Sequence, residues 1–167
     1  MRKSAYKAIV SSLVIAVAVW YIFYDLYPSE ITDKSTQSTE FSTLRAFDHV
    51  KNIADEPHYI GSEAHNRKRN YIVEALEALD LEVQTQQGFI FNQDGALTVP
   101  ENIITRIPAS DPSPNSKALL LLAHYDSAVH SSFGAADAAS GVATILEAVR
   151  AFKAAGSSFQ NDIIILF

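Results

Sequence analysis

Residues 118–123 read ALLLLA, a run with no polar residue on either face of a strand. A half-exposed strand alternates, so a strand of this kind is normally buried between two layers of helices inside an α/β sheet. The run is too short for a helix before His124, Tyr125 and Asp126 break it. From Ala138, AASGVATILEAVRAFKAAG puts Val142, Ile145, Leu146, Val149 and Phe152 on one helical face, closed by Gly156. Asn161 and Asp162 then lead into IIILF at 163–167, a second strand apolar on both faces. Strand, loop, helix, strand is a βαβ unit with parallel strands. The expected fold class is therefore α/β, three layers (α/β/α) around a mostly parallel, mixed sheet.

The residues before this unit fit the same class. Leu44, Phe47, Val50 and Ile53 recur at helical spacing, and Asp55-Glu56-Pro57 ends that helix. Gly61 suits a turn and Ser62 an N-cap, after which Ile72, Leu76 and Leu79, with Val73 alongside, form the stripe of a second helix. Leu81, Val83 and Thr85 alternate as in a half-buried strand. NQDG at 92–95 reads as a hairpin turn, NIITRI at 102–107 as the returning strand, and 108–117 as a proline-punctuated surface loop. Arg67-Lys68-Arg69 reads as a solvated helix face.

The N-terminus constrains location. Arg2, Lys3 and Lys7 precede AIVSSLVIAVAVWYIFY, which holds no charge from Ala8 to Tyr24. That run is near the lower limit for crossing a hydrocarbon core of about 30 Å, and Trp20, Tyr21, Tyr24 and Tyr27 crowd its far end, where aromatic rings favour the interface. The expected layout is a basic cytoplasmic tail at 1–7, a transmembrane anchor at 8–27, a polar linker at 28–40 and a domain from 41 to 167 on the far side. That side is an endomembrane lumen or the cell-envelope exterior. A cleaved signal peptide is the alternative, with Ala16-Val17-Ala18 as its site, but cleavage there cuts inside the apolar run.

In an open parallel sheet, function gathers beyond the carboxyl ends of the strands. His124 and Asp126, two apart in extended chain, share a face there, with Tyr125 opposite. Asp137, at the start of the following helix, can face the same crevice. An imidazole steadied by one carboxylate and joined by another is a metal-binding pattern. There is no cysteine, so a metal has to be held by His and carboxylate. The balance of 13 Lys+Arg against 19 Asp+Glu, a net charge of -6, carries no footprint of a nucleic-acid binder. Ser140 lacks the Gly-x-Ser-x-Gly setting of a serine nucleophile. His130 reads as an exposed loop residue, and His49, His58 and His65 as structural.

HYD, then GAADAASG, then a helix and an IIILF strand, preceded by PHYIGSEAHNRKRNYIVEALEALDLEV and ENIITRIP, resembles the zinc-dependent aminopeptidase family that binds two zinc ions. The likeness is to its membrane-anchored branch and extends over about 41–167. The resemblance implies a peptide substrate and two Zn2+ ions. It implies that His124 ligates one zinc, Asp126 orients His124, Asp137 bridges both zincs, and Ser140 and Gly141 shape the helix start. It also implies a Glu-Glu pair, general base and ligand, directly after the strand at 163–167, with later acidic and histidine ligands. These are not in the sequence, so the chain reads as an N-terminal part of the peptidase domain, incomplete at the C-terminus and inactive alone. A non-catalytic anchored ectodomain that keeps the fold as an interaction surface is the alternative.

Overall fold

The computed structural model describes residues 2–27, 30–91, 95–113, 116–130 and 132–167. Most of the turn expected at 92–95 lies outside the described residues. There are two compact units, Met1–Ile31 and Thr32–Phe167. The first is one helix, α1 (Arg2–Leu26). Its stretch Ala5–Leu26, mean hydropathy 2.0 and wholly exposed, is long and apolar enough to cross a membrane. Trp20 stacks on Tyr24 at its C-terminal end, centroids 5.4 Å apart.

The second unit carries helices α2 (Thr43–Ile53), α3 (Glu63–Glu77) and α4 (Ser140–Ala155) and strands β1 (Val83–Gln87), β2 (Ile90–Phe91), β3 (Leu97–Thr98), β4 (Glu101–Ile107), β5 (Leu119–Leu122) and β6 (Ile163–Leu166). Two of the caps are residues the sequence offered, Ser62 and Gly156. Ser62 Oγ accepts from His65 N at 3.1 Å, and Gly156 closes α4 at φ 62°. Ser42 caps α2 by accepting from Arg45 N at 3.2 Å. Each satisfies a backbone group the helix leaves unpaired.

The four main strands lie in the order β1-β4-β6-β5. The sheet is mixed, as expected, but two of its three strand pairs are antiparallel rather than most being parallel. Its parallel pair is β5 with β6, joined through α4, and β4 runs antiparallel to both β1 and β6. β6 is an inner strand. β2 and β3 form a separate antiparallel hairpin. Ile53 of α2, Ile72 and Leu76 of α3, and Val142 and Leu146 of α4 meet Ile103 and Ile165 in one core. Ile103 and Ile107, both in that core, belong to one alternating set of β4 residues, so the three helices cover one face. On that face Leu121 joins the core, whereas Leu120 and Leu122 are 52% and 64% exposed. Among the described residues the ALLLLA strand is thus covered on one side.

Two surface readings change. Residues 32–40, read as linker, are pinned to the domain. Buried Glu147 accepts from Ser42 N at 2.8 Å, Arg45 Nε at 2.9 Å and Arg150 Nε at 2.6 Å. The two guanidinium groups then donate to the carbonyls of Lys34, Thr36, Ser38 and Glu40. The compact unit accordingly begins at Thr32, upstream of Phe41. Arg67-Lys68-Arg69 is a set of ion pairs, not a solvated face. Lys68 is buried against Asp55 and the Asn52 carbonyl, Arg67 grips Glu56, and Arg69 pairs with Glu101. These bonds tie α3 to the end of α2 and the start of β4.

Candidate metal centre

The β5–β6 ladder runs one residue past β5, where Ala123 N donates to Leu166 O at 3.2 Å. His124 is the next residue, at the carboxyl edge of the parallel pair. Strand alternation sends Tyr125 inward, where it stacks on His65 (centroids 4.7 Å, 17°) and donates to Glu101 O at 3.0 Å. Burial pushes the Tyr125 phenol well above its usual range. With Tyr125 fixed, His124 and Asp126 project to the other side.

His124 Nδ1 lies 3.1 Å from the Asp126 carbonyl and 3.2 Å from Asp126 Oδ1. His124 Nε2 lies 2.8 Å from Asp137 Oδ1. The structure therefore brings His124, Asp126 and Asp137 together. The tautomer follows from the partners. Both oxygens beside Nδ1 are acceptors, so Nδ1 carries a proton, and a neutral ring then presents a lone pair at Nε2. That lone pair faces another acceptor, Asp137. Two acceptors at 2.8 Å need a positive particle between them, either a proton or a cation in its place. Desolvation resists charge on the ring, but the Asp137 hydrogen bond and the Asp126 charge outweigh it, raising the His124 pKa above its usual value. The donor set thus fits a cation at Nε2 and Asp137.

Asp137 is held outside helical geometry (φ -131°, ψ 90°), in a cis peptide with Ala138, just before α4. Its side chain is 90% exposed. Ser140 Oγ donates to Ala136 O at 2.8 Å, which folds the chain into the helix start. A Cβ on Gly141 would sit 3.3 Å from Ala123 Cβ, so glycine lets α4 approach the end of β5. Among the described residues no three His, Asp or Glu side chains form a group that could hold a metal ion. His124 and Asp137 face each other as a pair, and Asp126 contacts the opposite side of the ring. A small crevice of about 90 Å³ beside them is lined by Ile60, His65, Pro100, Glu101, His124 and Asp126. A larger depression, about 530 Å³, lies elsewhere, on the bare sheet face around Ile104, Arg106 and Ile164.

The remaining histidines are placed as expected. His49 meets the Tyr71 hydroxyl at 2.7 Å, His58 and His65 are buried, and His130 is exposed. Sequence reasoning missed Ser127, which is buried and bonded to the backbone of His58. Nothing in the sequence distinguishes it from an ordinary loop serine.

Residues 102–167 match Peptidase family M28. The chain is 32% identical over 141 residues to a vacuolar membrane protease of Candida albicans, an alignment covering 83% of this chain and 16% of that protein. The chain thus spans about a sixth of the length of that curated relative. Among solved structures, glutaminyl cyclase of Porphyromonas gingivalis superposes with a TM-score of 0.65 at 28% identity, covering 76% of this chain and 45% of that one. A Zn-dependent exopeptidase from Parabacteroides distasonis gives 0.64 at 25% identity, covering 78% and 47%. The resemblance carried by HYD and GAADAASG is borne out.

Proposed function

We propose that this chain, whose second half carries the M28 family pattern, belongs to a membrane-anchored, zinc-dependent metallopeptidase of aminopeptidase type. The observation that carries the proposal is the facing pair of acceptors, His124 Nε2 and Asp137 Oδ1. Zinc bound there, two ions in the complete enzyme, would supply electrophilic activation of a peptide carbonyl and of water. Asp126 would hold the His124 proton on Nδ1 and so keep Nε2 available as a ligand. The two oxygens of Asp137 suit it to bridge. The site stands at an open sheet edge, where a peptide terminus can enter. Among the described residues the site offers one imidazole and one carboxylate suited to bridge, fewer than the three ligands plus open position of a catalytic zinc. Residues 1–167 alone are expected not to cleave peptides. Support for the membrane setting comes from α1. The basic residues in its first turns would favour an N-terminus in the cytoplasm and a domain on the far side.

The test uses the protein purified from its own membrane. It is expected to release N-terminal residues from unblocked peptides, to lose that activity to a chelator and to regain it with zinc. Activity that survives chelation overturns the proposal. So does release of ammonia from an N-terminal glutaminyl peptide with every peptide bond left intact, in which the α-amine displaces the side-chain amide nitrogen; that is cyclase chemistry.

A further inference from the structure

Three separate stretches meet behind the candidate site. His58 comes from the connection between α2 and α3, Ser127 directly follows Asp126, and Gly134 precedes Asp137 by one short turn. His58 N donates to Ser127 Oγ at 2.8 Å, and Ser127 N donates back to His58 O at 3.3 Å. The His58 ring is itself fixed, with Nδ1 2.8 Å from the Glu56 carbonyl. His58 and Ser127 are almost wholly buried. Gly134 sits at φ 65° against both of them. A Cβ there would lie 3.2 Å from Ser127 Cβ, 3.3 Å from the Asp137 carbonyl oxygen and 3.4 Å from His58 Cε1. Its own carbonyl accepts from Ala139 N at 2.9 Å, at the start of α4.

We propose that His58, Ser127 and Gly134 form a buried positioning knot that sets the separation of His124 and Asp137. The intervening loop carries exposed residues, Val129 and Phe133 among them. Exposed side chains do little to fix the ends of a loop, yet metal ligation tolerates only about 0.2 Å of error. The knot supplies the constraint. It bonds the chain one residue after Asp126 to His58, and it packs Gly134, three residues before Asp137, closely against the same histidine. The hydroxyl is needed because an alanine at 127 leaves the buried His58 N–H without a partner. The consequence for zinc rests on the metallopeptidase reading; the geometry does not.

In the protein purified from its membrane, Ser127→Ala and Gly134→Ala are each expected to lower zinc affinity about 10- to 100-fold, the effect typical of losing a group that supports a ligand. Amide exchange through 124–138 should quicken while β4 and α3 exchange as in wild type. His58→Asn, which keeps a side-chain N–H for the Glu56 carbonyl, is expected to retain the affinity that His58→Ala loses. Unchanged zinc affinity in the Ser127 and Gly134 variants overturns the proposal, as does exchange that rises evenly across the domain. Should the wild type take up no zinc, the metallopeptidase reading falls and exchange alone decides. Acceleration confined to 124–138 then supports the knot, and any other pattern overturns it.

Discussion

The α4 segment carries two carboxylates whose surroundings are opposites. Glu147, in the middle of the helix, is fully buried and meets Ser42 N, Arg45 and Arg150, so its oxygens are saturated. Asp137, just ahead of the helix, is 90% exposed and faces one imidazole nitrogen. Glu147 has no capacity left for a ligand and every reason to stay put. Asp137 has lone pairs to spare, water at hand and a neighbour that also wants a cation. A saturated buried charge makes architecture, whereas an unsaturated one at a sheet edge is left able to take a ligand.

The largest effect expected from this contrast is on folding. Glu147→Ala leaves Arg45 and Arg150 buried in part without their anion and Ser42 N–H without an acceptor. Removing one partner of a buried pair costs about 3–5 kcal/mol. Chemical denaturation of the whole chain measures it, and a loss under about 1 kcal/mol would place Glu147 among ordinary surface charges. Residues 32–40 should become protease-sensitive in the same variant, because both guanidinium groups that hold their carbonyls lose their anchor.

Asp137→Ala should do the reverse. Its exposed contact with His124 is worth at most about 1 kcal/mol to folding. Zinc affinity, read by equilibrium dialysis of the protein from its membrane, should fall by about 100-fold or more, at least as much as when a supporting group is lost. A large folding loss with intact zinc uptake would exchange the roles of the two carboxylates.

This difference in setting also explains what was legible in the sequence. β5, α4 and β6 were readable because apolar periodicity is a local property, and His124, Asp126 and Asp137 because they lie within one βαβ unit. The Glu147 clamp was not readable. Arg45 and Glu147 are about a hundred positions apart, and each looks like a solvated helix charge until the helices are packed. Lys68 misled for the same reason, since its partners Asp55 and Asn52 sit on another helix and its end. Leu120 and Leu122 misled differently. An all-apolar strand suits burial on both faces, but among the described residues only the face bearing Leu121 is covered.

Acidity gives a finer test. Desolvation disfavours the Glu147 anion, yet the hydrogen bonds from Arg150, Ser42 N and Arg45 outweigh it and hold its pKa below the ordinary 4.5. A depressed carboxylate contributes stability that is fully present above its unfolded value and is lost as pH falls through the folded one. The stability difference between wild type and Glu147→Gln should therefore be flat above pH 4.5 and shrink below it. A difference that persists undiminished to acid unfolding would mean that the carboxylate's charge contributes nothing.

The smallest effect has the opposite sign, and it tests whether the exposed pair is a real ion pair when no metal is bound. The His124 pKa is raised from 6.5 despite desolvation, through the Asp137 hydrogen bond and the Asp126 charge. A raised imidazole contributes stability that is complete below pH 6.5 and disappears as pH climbs through the folded value. Measured with a chelator present, wild type should lose stability relative to His124→Asn above pH 6.5. The loss should be no more than about 0.5 kcal/mol, because solvent screens a half-exposed pair. Zinc added back should abolish this pH dependence, since the cation then occupies the place of the proton. A dependence that zinc leaves untouched would mean that the metal binds somewhere other than between His124 and Asp137.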